Sequence, residues 1–424
     1  MQPTAIVMNM FYTGLGIARS LGKRGIPVIG LSAQRGIYGN FTRYAKIVSS
    51  PDSRRNPEQL ADFLLTFGRQ LDQPAIIFPT RDDDLLFLDR FREELSPNFK
   101  LAIPEHMVLH ACLNKWETYQ WTQRMDVPGP STWFIESPEN LRRILDSVKY
   151  PCVLKPVSAH QWRQGDNWSI VGARKAIGIS SPQELLAEYA HIARAGKSAL
   201  VQEMIPGPDN ALVIVACYLD SQSRWVAGFN TQKVVQVPEG FGTGCIVQAA
   251  DYPELTAPTA RLLGAMRFTG TAEVEYKWDS ASGTYKLIEI NPRFWDQHRL
   301  SDGCGIDLPY LAYAEHAGLP LPVLQPRTST VKWIAEDTFI TTALTMLWKR
   351  DPKLKSLFRS ARGNRIYAIW SASDPLPSLL YFTVRFAPGI FASGMRAAWR
   401  RLIAYLRGNA ADGKELLYAR RYQK

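Results

Sequence analysis

Clustered cysteines are absent from this sequence of 424 residues. Its five cysteines stand far apart, without a Cys-x-x-Cys pair or the Cys/His spacing of a zinc finger: Cys112, Cys152, Cys217, Cys245 and Cys304. A disulfide framework and a cysteine-ligated zinc site both need such groupings, so neither is predicted. The pattern favours a protein of a reducing compartment.

A secretion signal and an uninterrupted membrane span are also lacking. The first ten residues have neither the basic start nor the long apolar core of a signal peptide, and they are predicted to form a strand. Residues 375–395 are mostly apolar, but Arg385, Pro388 and Gly389 interrupt them, which disfavours a transmembrane helix. We therefore expect a cytoplasmic protein, with peripheral contact at the inner membrane surface as an open alternative.

An excess of basic over acidic residues is absent until the chain nears its end. The formal net charge is +11, from 50 Lys and Arg against 39 Asp and Glu. Residues 325–424 hold 18 basic and 6 acidic residues, or +12, which leaves 32 against 33, or −1, for residues 1–324. Because the first 324 residues also lack basic clusters interleaved with aromatic side chains, nucleic acid is not expected as a partner.

Short apolar runs alternate with amphipathic segments along residues 1–110, a pattern typical of a parallel sheet with helices between its strands. A second alternation of strands and helices follows at 132–203, and residues 170–176 are expected to form one of its regular secondary-structure elements. Long β-rich stretches around one helix occupy 211–290, which favours an antiparallel sheet.

These patterns predict an α/β protein that is α+β in its central part. Its composition, with 46% apolar and 21% charged residues, is that of an ordinary folded protein. The expected parts are an N-terminal parallel-sheet domain at 1–112, a central domain at 113–325 with a small subdomain at 131–205 and a larger antiparallel-sheet subdomain, and a basic helical C-terminal extension at 326–424.

Gly14 and Gly16 lie in the turn after the first strand. Glycines at this place let the backbone enter a helix tightly, as in phosphate-binding turns. The third glycine of the dinucleotide-binding pattern is missing, and no acidic residue closes the second strand at 28–31. Tight packing is therefore favoured over binding of a nicotinamide cofactor by an oxidoreductase, which stays as an alternative.

A β-hairpin is predicted over residues 270–293, where two runs alternate apolar and polar residues across a turn. Because side chains repeat every two residues along a strand, Glu275, Glu289 and Asn291 can converge on one face. Such oxygen ligands suit Mg²⁺, and Arg293 adds a cation that suits an anionic phosphate. A solvated hairpin face is the alternative interpretation.

Two further segments fit a phosphate or nucleotide site. Lys155 ends an apolar strand, where a lysine is unusual unless its ammonium reaches a partner such as phosphate. After the strand that ends near Glu203, a Pro/Gly-rich connector exposes backbone beside Met204 and Ile205 that can receive a flat heterocycle, with Asp209 near a sugar hydroxyl. A lysine at a strand end and a simple interdomain hinge are the alternatives.

Taken in this order, the motifs over residues 1–325 resemble the ATP-grasp superfamily, in particular its carboxylate–amine ligase branch with the D-aspartate ligase-like proteins. The resemblance implies a small subdomain that clamps ATP and a set of family site residues. Those residues are Lys115 and Lys155 for the phosphates, Gln202, Glu203, Met204 and Ile205 for adenine, Asp209 for ribose, Glu275, Glu289 and Asn291 for metal, and Arg293 for the transferred phosphate.

The resemblance also implies an activity, with ATP and Mg²⁺ as cofactors and Mn²⁺ as an alternative metal. A small-molecule carboxylate attacks the γ-phosphate of ATP to give an acyl phosphate, and an amine then displaces phosphate to form an amide. Such chemistry needs alignment and charge neutralisation, which lysines, an arginine and metal ions provide without a covalent nucleophile.

The sequence departs from the family pattern in two places. The loop after Lys155 has one glycine, Gly165, where relatives carry several, so Trp162 and Arg163 are candidates to cover the phosphates instead. This departure leaves a non-catalytic nucleotide sensor or membrane scaffold as an alternative function. The segment after Arg293 has polar residues where relatives often have small ones, and these are the expected substrate contacts: Asp296, His298 and Arg299.

The C-terminal extension contains a predicted basic amphipathic helix at 390–406. Its apolar residues follow helical spacing, whereas the basic ones occupy other faces: Arg396, Arg400, Arg401 and Arg407. Such a helix lies on an anionic membrane, binds an acidic partner or covers the core of its own protein. The oligomeric state is not indicated by the sequence, and a homodimer is compatible with it.

Overall fold

A five-stranded parallel sheet forms the N-terminal domain in the computed structural model, which describes residues 2–163, 165–240, 242–386 and 388. Its strands lie in the order β3-β2-β1-β4-β5. The elements are β1 (Ala5–Met8), α1 (Tyr12–Lys23), β2 (Val28–Ser32), β3 (Lys46–Ser49), α2 (Pro57–Gly68), β4 (Ala75–Phe78), α3 (Asp82–Arg90), α4 (Arg92–Leu95) and β5 (Phe99–Leu101). β1 and β4 are apolar throughout because helices cover both faces of the sheet, and the predicted parallel sheet is confirmed.

The glycines of α1 are packing glycines. A Cβ on Gly14 would lie 1.9 Å from the carbonyl oxygen of Asn9, and a Cβ on Gly16 would lie 2.6 Å from Cε1 of His298. Any larger residue would therefore push α1 away from the sheet or from the central domain. These contacts explain both glycines without a nicotinamide cofactor.

Two linker helices and a four-stranded antiparallel sheet come next. The sheet has the order β6-β9-β7-β8. The elements are α5 (His106–Leu113), α6 (Lys115–Arg124), β6 (Thr132–Ile135), α7 (Pro138–Ile144), β7 (Cys152–Lys155), α8 (Ala159–Arg163), α9 (Asn167–Ile170), β8 (Ile177–Ile179), α10 (Pro182–Ile192) and β9 (Ala199–Glu203). The element expected at 170–176 is wrong, because Gly172 and Ala173 have φ of 63° and 56° and turn the chain between α9 and β8.

A seven-stranded sheet in the order β14-β13-β10-β11-β12-β15-β16 forms the larger subdomain. Its first elements are β10 (Leu212–Leu219), β11 (Trp225–Val237), β12 (Thr243–Ala250), α11 (Thr256–Ala265), β13 (Gly270–Asp279) and β14 (Thr284–Asn291), followed by α12 (Leu300–Gly303) and α13 (Leu308–Ala317). Side chains of β10 and α13 pack in one core with β1 and α1, so the N-terminal domain and the larger subdomain share a hydrophobic core. Short 3₁₀ helices lie at Tyr38–Phe41, Ala193–Ala195, Asp209–Ala211 and Pro253–Leu255.

The first part of the C-terminal extension belongs to this body, so the boundary expected at 325/326 is wrong. The elements are β15 (Lys332–Ile334), α14 (Glu336–Lys349), α15 (Leu354–Ser360), β16 (Arg365–Tyr367), α16 (Leu376–Leu380) and a π-helix (Tyr381–Phe386). β15 pairs antiparallel with β12, and β16 pairs parallel with β15. Asp374 forms a buried ion pair with Arg19 of α1, with Nε and Oδ2 2.9 Å apart.

The predicted amphipathic helix at 390–406, with Arg396, Arg400, Arg401 and Arg407, lies outside the described residues. Among the helices that the structure describes, none combines the length and the apolar character that crossing a membrane requires. The described part of the extension adds strands β15 and β16 to the large sheet. The membrane contact expected for the remaining basic segment stays a prediction.

Candidate active site

The β13–β14 hairpin carries its polar side chains on the face opposite to the core. The cross-strand register pairs Glu275 with Glu289 and Glu273 with Asn291. The alternating residue Val274 is buried in the core on the other side of the sheet. The structure therefore brings together the residues predicted as metal ligands and adds Glu273 to them.

Two lysines lie against this acidic face. Nζ of Lys115 is 2.9 Å from Oε2 of Glu289, and Nζ of Lys233 donates to both carboxylate oxygens of Glu275 at 2.9 Å. The Asn114 side chain caps α6 by accepting backbone hydrogen bonds, so that the helix begins at Lys115 and fixes its position. Each pair offsets the desolvation of charges that are mostly withdrawn from water.

Lys233 is a site residue that the sequence analysis missed. It stands inside β11, and its partner Glu275 is on β13, with β10 between the two strands. Lys233 is 7% exposed, but it follows the polar residues 230–232 in the sequence, so nothing in the local pattern marked it as a buried lysine. Its partner was not predictable, because the strand order was not known.

The charges on this face shift each other's protonation. Nearby Lys115 holds the pKa of Glu289 well below its usual range, against the opposing effect of burial. Burial and the neighbouring Glu275 raise the pKa of Glu273. Burial lowers the pKa of Lys155 to about 8, although Glu289 acts in the opposite direction. Glu289 is therefore ionised at neutral pH, whereas the ammonium group of Lys155 loses its proton at a pH close to neutral.

Gln202 and Glu203 have side-chain partners that the sequence did not indicate. Lys155 Nζ donates to Oε1 of Gln202 at 2.7 Å, and Nε2 of Gln202 donates to Thr132 at 3.0 Å. Glu203 accepts from Nζ of Lys286 at 2.9 and 3.0 Å, which ties β9 to β14. These two side chains therefore hold Lys155 and the two subdomains in place, and they leave backbone groups for any contact with adenine.

The hinge is the segment that follows β9 and contains Met204, Ile205 and Asp209. It contacts the turn between β11 and β12. Ile205 is buried, whereas Met204 is partly exposed after the end of β9. The carboxylate of Asp209 accepts hydrogen bonds from the backbone and side-chain nitrogens of Gln236 at 3.0 and 2.9 Å and from the backbone of Gly240 at 3.2 Å. Asp209 therefore holds the glycine-containing turn against the hinge, in addition to the ribose contact that the sequence predicts.

Arg293 extends from the end of β14 toward the N-terminal domain. Its Nε donates to Oδ1 of Asp82 at 2.5 Å, and its Nη1 donates to the carbonyl of Phe294 at 3.2 Å. Asp82 is the first residue of α3, so the N-terminal domain orients this guanidinium. Asp82 was not among the site residues predicted from the sequence.

The three expected substrate contacts have different environments. Asp296 accepts a hydrogen bond from Thr13 Oγ1 at 3.0 Å, and burial raises the pKa of its carboxyl against the opposing effects of that bond and of the charge of Arg293. His298 is completely buried against Gly16, and its Nδ1 is 2.7 Å from the carbonyl oxygen of Trp295. Substrate contact by His298 is therefore corrected to a packing role.

Arg299 is also turned away from the hairpin. Its Nη1 donates to the carbonyl oxygen of Tyr367 on β16 at 3.2 Å, and its Nε is 3.8 Å from Asp302. Arg299 therefore fastens the C-terminal extension to the large subdomain. Of the three predicted substrate residues, Asp296 is the one that is neither sealed in the core nor bound to the described part of the C-terminal extension.

In its described residues, the loop after Lys155 does not fold over the expected position of the ATP phosphates. Trp162 is 1% exposed and packs in the core of the small subdomain, so the predicted cover by this ring is wrong. Arg163 is close enough to Asp82 to lower the pKa of that carboxyl, together with Arg293. Lys175, which the sequence did not single out, donates to Thr243 Oγ1 at 3.0 Å and links the small subdomain to β12.

Comparison with known proteins adds to this geometry. No family model matches the chain. The chain is 25% identical over 266 residues to D-aspartate ligase of Enterococcus faecium, which covers 59% of this chain and 62% of the relative. It is 23% identical over 192 residues to D-alanine–D-alanine ligase of Pseudomonas putida, covering 42% and 54%. The chain thus matches less than two thirds of the length of these curated relatives.

Solved structures with the same fold cover about three quarters of the chain. The biotin carboxylase domain dimer of Hydrogenobacter thermophilus 2-oxoglutarate carboxylase, in complex with MgADP, ADP and bicarbonate, has a TM-score of 0.62 at 17% identity and covers 77% of this chain and 72% of its own. The ADP complex of N5-carboxyaminoimidazole ribonucleotide synthetase has a TM-score of 0.58 at 15% identity, covering 77% and 80%. The predicted resemblance is confirmed: the chain has the ATP-grasp fold and is similar to carboxylate–amine ligases of that superfamily.

Proposed function

We propose that this protein is an ATP-dependent ligase that joins a small-molecule carboxylate to an amine and releases ADP and phosphate. The observation that carries the proposal is the pairing of Lys115 with Glu289 and of Lys233 with Glu275 on one face of the large sheet. When MgATP binds, the two lysines can exchange their carboxylate partners for phosphate oxygens. The two carboxylates are then available to bind a metal ion. A scaffold would not need this arrangement.

The donor set fits Mg²⁺, with Mn²⁺ as an alternative that uses the same ligands. Glu275 and Glu289 are cross-strand partners, and Asn291 donates through Nδ2 to Glu273 at 3.1 Å, which leaves its amide oxygen as the atom suited to a cation. Hard divalent cations prefer such oxygen ligands and complete their shells with water and phosphate. When bound, the metal would neutralise the charge that develops on the transferred phosphate.

The nucleotide would lie between the small and large sheets. We assign its phosphates to Lys115 and Lys155 and its adenine to the backbone around the hinge, with Asp209 near the ribose. The hinge residues that would contact adenine are Gln202, Glu203, Met204 and Ile205. The hydrogen bond from Nζ of Lys155 to Oε1 of Gln202 supports this assignment, because through it the lysine side chain reaches along the adjacent antiparallel strand β9 toward the hinge.

The chemistry would proceed in two steps. The carboxylate oxygen attacks the γ-phosphorus, ADP leaves, and Arg293, oriented by Asp82, stabilises the transferred phosphoryl group. The amine nitrogen then attacks the acyl carbon, phosphate leaves, and the nitrogen loses a proton. We assign the substrate contact to Asp296, which follows Arg293 closely in the chain.

We predict phosphate release that requires both substrates. Purified protein with MgATP is incubated with amino acids and sugar acids as carboxylates and with ammonia and amino acids as amines, and phosphate and ADP are measured. The expected result is turnover only with a matched carboxylate and amine, because each step consumes one of them. Tight ATP binding without turnover in any combination would favour the nucleotide-sensor alternative.

We further propose a cytoplasmic protein that contacts an anionic membrane surface through its C-terminal extension. On α14, Leu344, Leu347 and Trp348 recur at helical spacing and are 44%, 61% and 55% exposed. Lys349 and Arg350 follow them directly, and an apolar face edged by basic residues suits the interface of an anionic bilayer.

Leu347→Ser/Trp348→Ser is predicted to reduce co-sedimentation with phosphatidylserine vesicles at low salt by about ten-fold, because two large apolar groups are lost. Substitution of Arg396, Arg400, Arg401 and Arg407 by Gln should weaken the same binding and leave ATP binding intact. Val323→Ser is the matched control, since this side chain is 94% exposed elsewhere on the surface. Absence of wild-type binding at every salt concentration would contradict the proposal.

We also propose that the protein is a homodimer. The related biotin carboxylase domain is described as a dimer, which supports this proposal. Sedimentation velocity over a range of concentrations tests it, and a monomer at all concentrations would refute it.

A further inference from the structure

A cluster of two histidines and an aspartate lies on the N-terminal side of the molecule, apart from the acidic hairpin. His106 and His110 are one turn apart on α5, and Asp89 is near the end of α3. Oδ2 of Asp89 is 2.7 Å from Nδ1 of His106 and 3.0 Å from Nε2 of His110. One ligand atom from each residue lies within 4.8 Å of the other two.

The aspartate is held in place by a separate set of contacts. Arg92 donates to Oδ1 of Asp89 at 2.9 Å and to the carbonyl oxygen of Pro104 at 2.6 Å. This leaves Oδ2 for both imidazoles. Burial raises the pKa of Asp89, but hydrogen bonds from Arg92, His106 and His110 outweigh it, so the pKa lies below its ordinary value. Arg92 thus acts as an outer partner that orients an ionised carboxylate, as such partners do around metal ligands.

The exposure of the three side chains also suits a metal. Asp89 is 5% exposed, whereas His106 and His110 are 58% and 43% exposed. A cation could enter from solvent, and water could fill the coordination position that the protein leaves open. Two imidazole nitrogens and one carboxylate oxygen form a borderline ligand set, which favours Zn²⁺ over Mg²⁺.

We propose that Asp89, His106 and His110 bind Zn²⁺ or a similar divalent transition metal. Bonds of about 2.0–2.2 Å in a tetrahedral site put donor atoms about 3.3 Å apart. The two Asp89–histidine pairs at 2.7 and 3.0 Å therefore need to open by a few tenths of an ångström, and the two imidazole nitrogens, which lie within 4.8 Å of each other, need to approach to the same spacing. The bound metal fastens α5 to α3, and α6 with Lys115 follows α5 after a single residue, so the site stabilises the linker on which the cleft depends.

The test uses the full chain without a histidine tag, treated with chelator and titrated with ZnCl₂ alone against a chromophoric zinc indicator. The expected result is binding of one Zn²⁺ per chain and a higher Tm with Zn²⁺ than with equal MgCl₂. His106→Asn/His110→Asn should weaken this binding by at least about ten-fold, a loss of about 1.4 kcal/mol. X-ray absorption of the zinc-loaded protein should show imidazole ligands.

His191→Asn is the matched control, because His191 is an exposed histidine on α10 outside the cluster. It should bind Zn²⁺ as the wild type does. Zinc binding that persists in the double variant and is displaced by excess Mg²⁺ would place the metal on the acidic hairpin and overturn the proposal. Absence of stoichiometric zinc binding in the wild type would also overturn it.

Discussion

Glu289→Ala is expected to lower Mg²⁺-dependent ATP consumption by at least about 100-fold, the loss typical of removing one electrostatic group from a preorganised site. The side chain has two roles, because it pairs with Lys115 at 2.9 Å and is a proposed metal ligand. Its removal would weaken the metal site and leave Lys115 without this partner. The measurement is ADP release at saturating ATP over a range of MgCl₂ concentrations.

Two further variants make this result specific. Glu289→Gln keeps the shape of the side chain and removes its charge, so it should also lose activity while it melts cooperatively, as followed by circular dichroism. Glu139→Ala removes a glutamate that is 66% exposed on α7, and it should leave turnover unchanged. Near-wild-type turnover by both Glu289 variants would disprove the assigned metal site.

Lys155→Met is expected to weaken MgATP binding by about 10- to 100-fold at pH 7, the effect of losing a hydrogen bond from a charged group. Because burial lowers the pKa of Lys155 to about 8, wild-type affinity should itself fall as pH rises through that value. The Met variant should lack this inflection, and Lys155→Arg should retain affinity at high pH because the guanidinium stays charged. Isothermal titration calorimetry at several pH values measures these effects.

The same shift predicts how stability depends on pH. The pKa of Lys155 in the folded protein, about 8, is below its ordinary value of 10.5, so unfolding takes up a proton between these values. The free energy of unfolding of the ligand-free protein should therefore gain a contribution that rises with pH in this window. Lys155→Met should lack that contribution in chemical denaturation. Identical ATP titrations and pH profiles for wild type and variant would instead favour a purely structural lysine.

Local patterns predicted the site where its residues lie close together in the sequence. Glu275, Glu289 and Asn291 were predictable because the alternation of one hairpin decides which side chains share a face. The order of strands in the sheet is a different kind of information. Lys233 reaches Glu275 across β10, and Asp82 reaches Arg293 from another domain, so neither partner follows from a repeat of two or of 3.6 residues.

Burial also decided roles that residue type left open. Asp296 and His298 are two residues apart and both polar, yet Asp296 is partly exposed and accepts a hydrogen bond from Thr13, whereas His298 is sealed against Gly16. Trp162 likewise enters the core of the small subdomain instead of covering the cleft. These outcomes depend on which surfaces of distant elements meet.

The sequence by itself determined the alternation of strands and helices in the N-terminal domain, the hairpin face and the resemblance to ATP-grasp ligases, because these depend on local periodicity and on motifs within short segments. Tertiary structure alone decided that β15 and β16 extend the large sheet and that Asp374 neutralises Arg19. It also decided which lysine faces which carboxylate. The physical reason is that hydrogen bonding at a sheet edge and the pairing of buried charges are satisfied by partners far away in the chain, which short-range patterns do not encode.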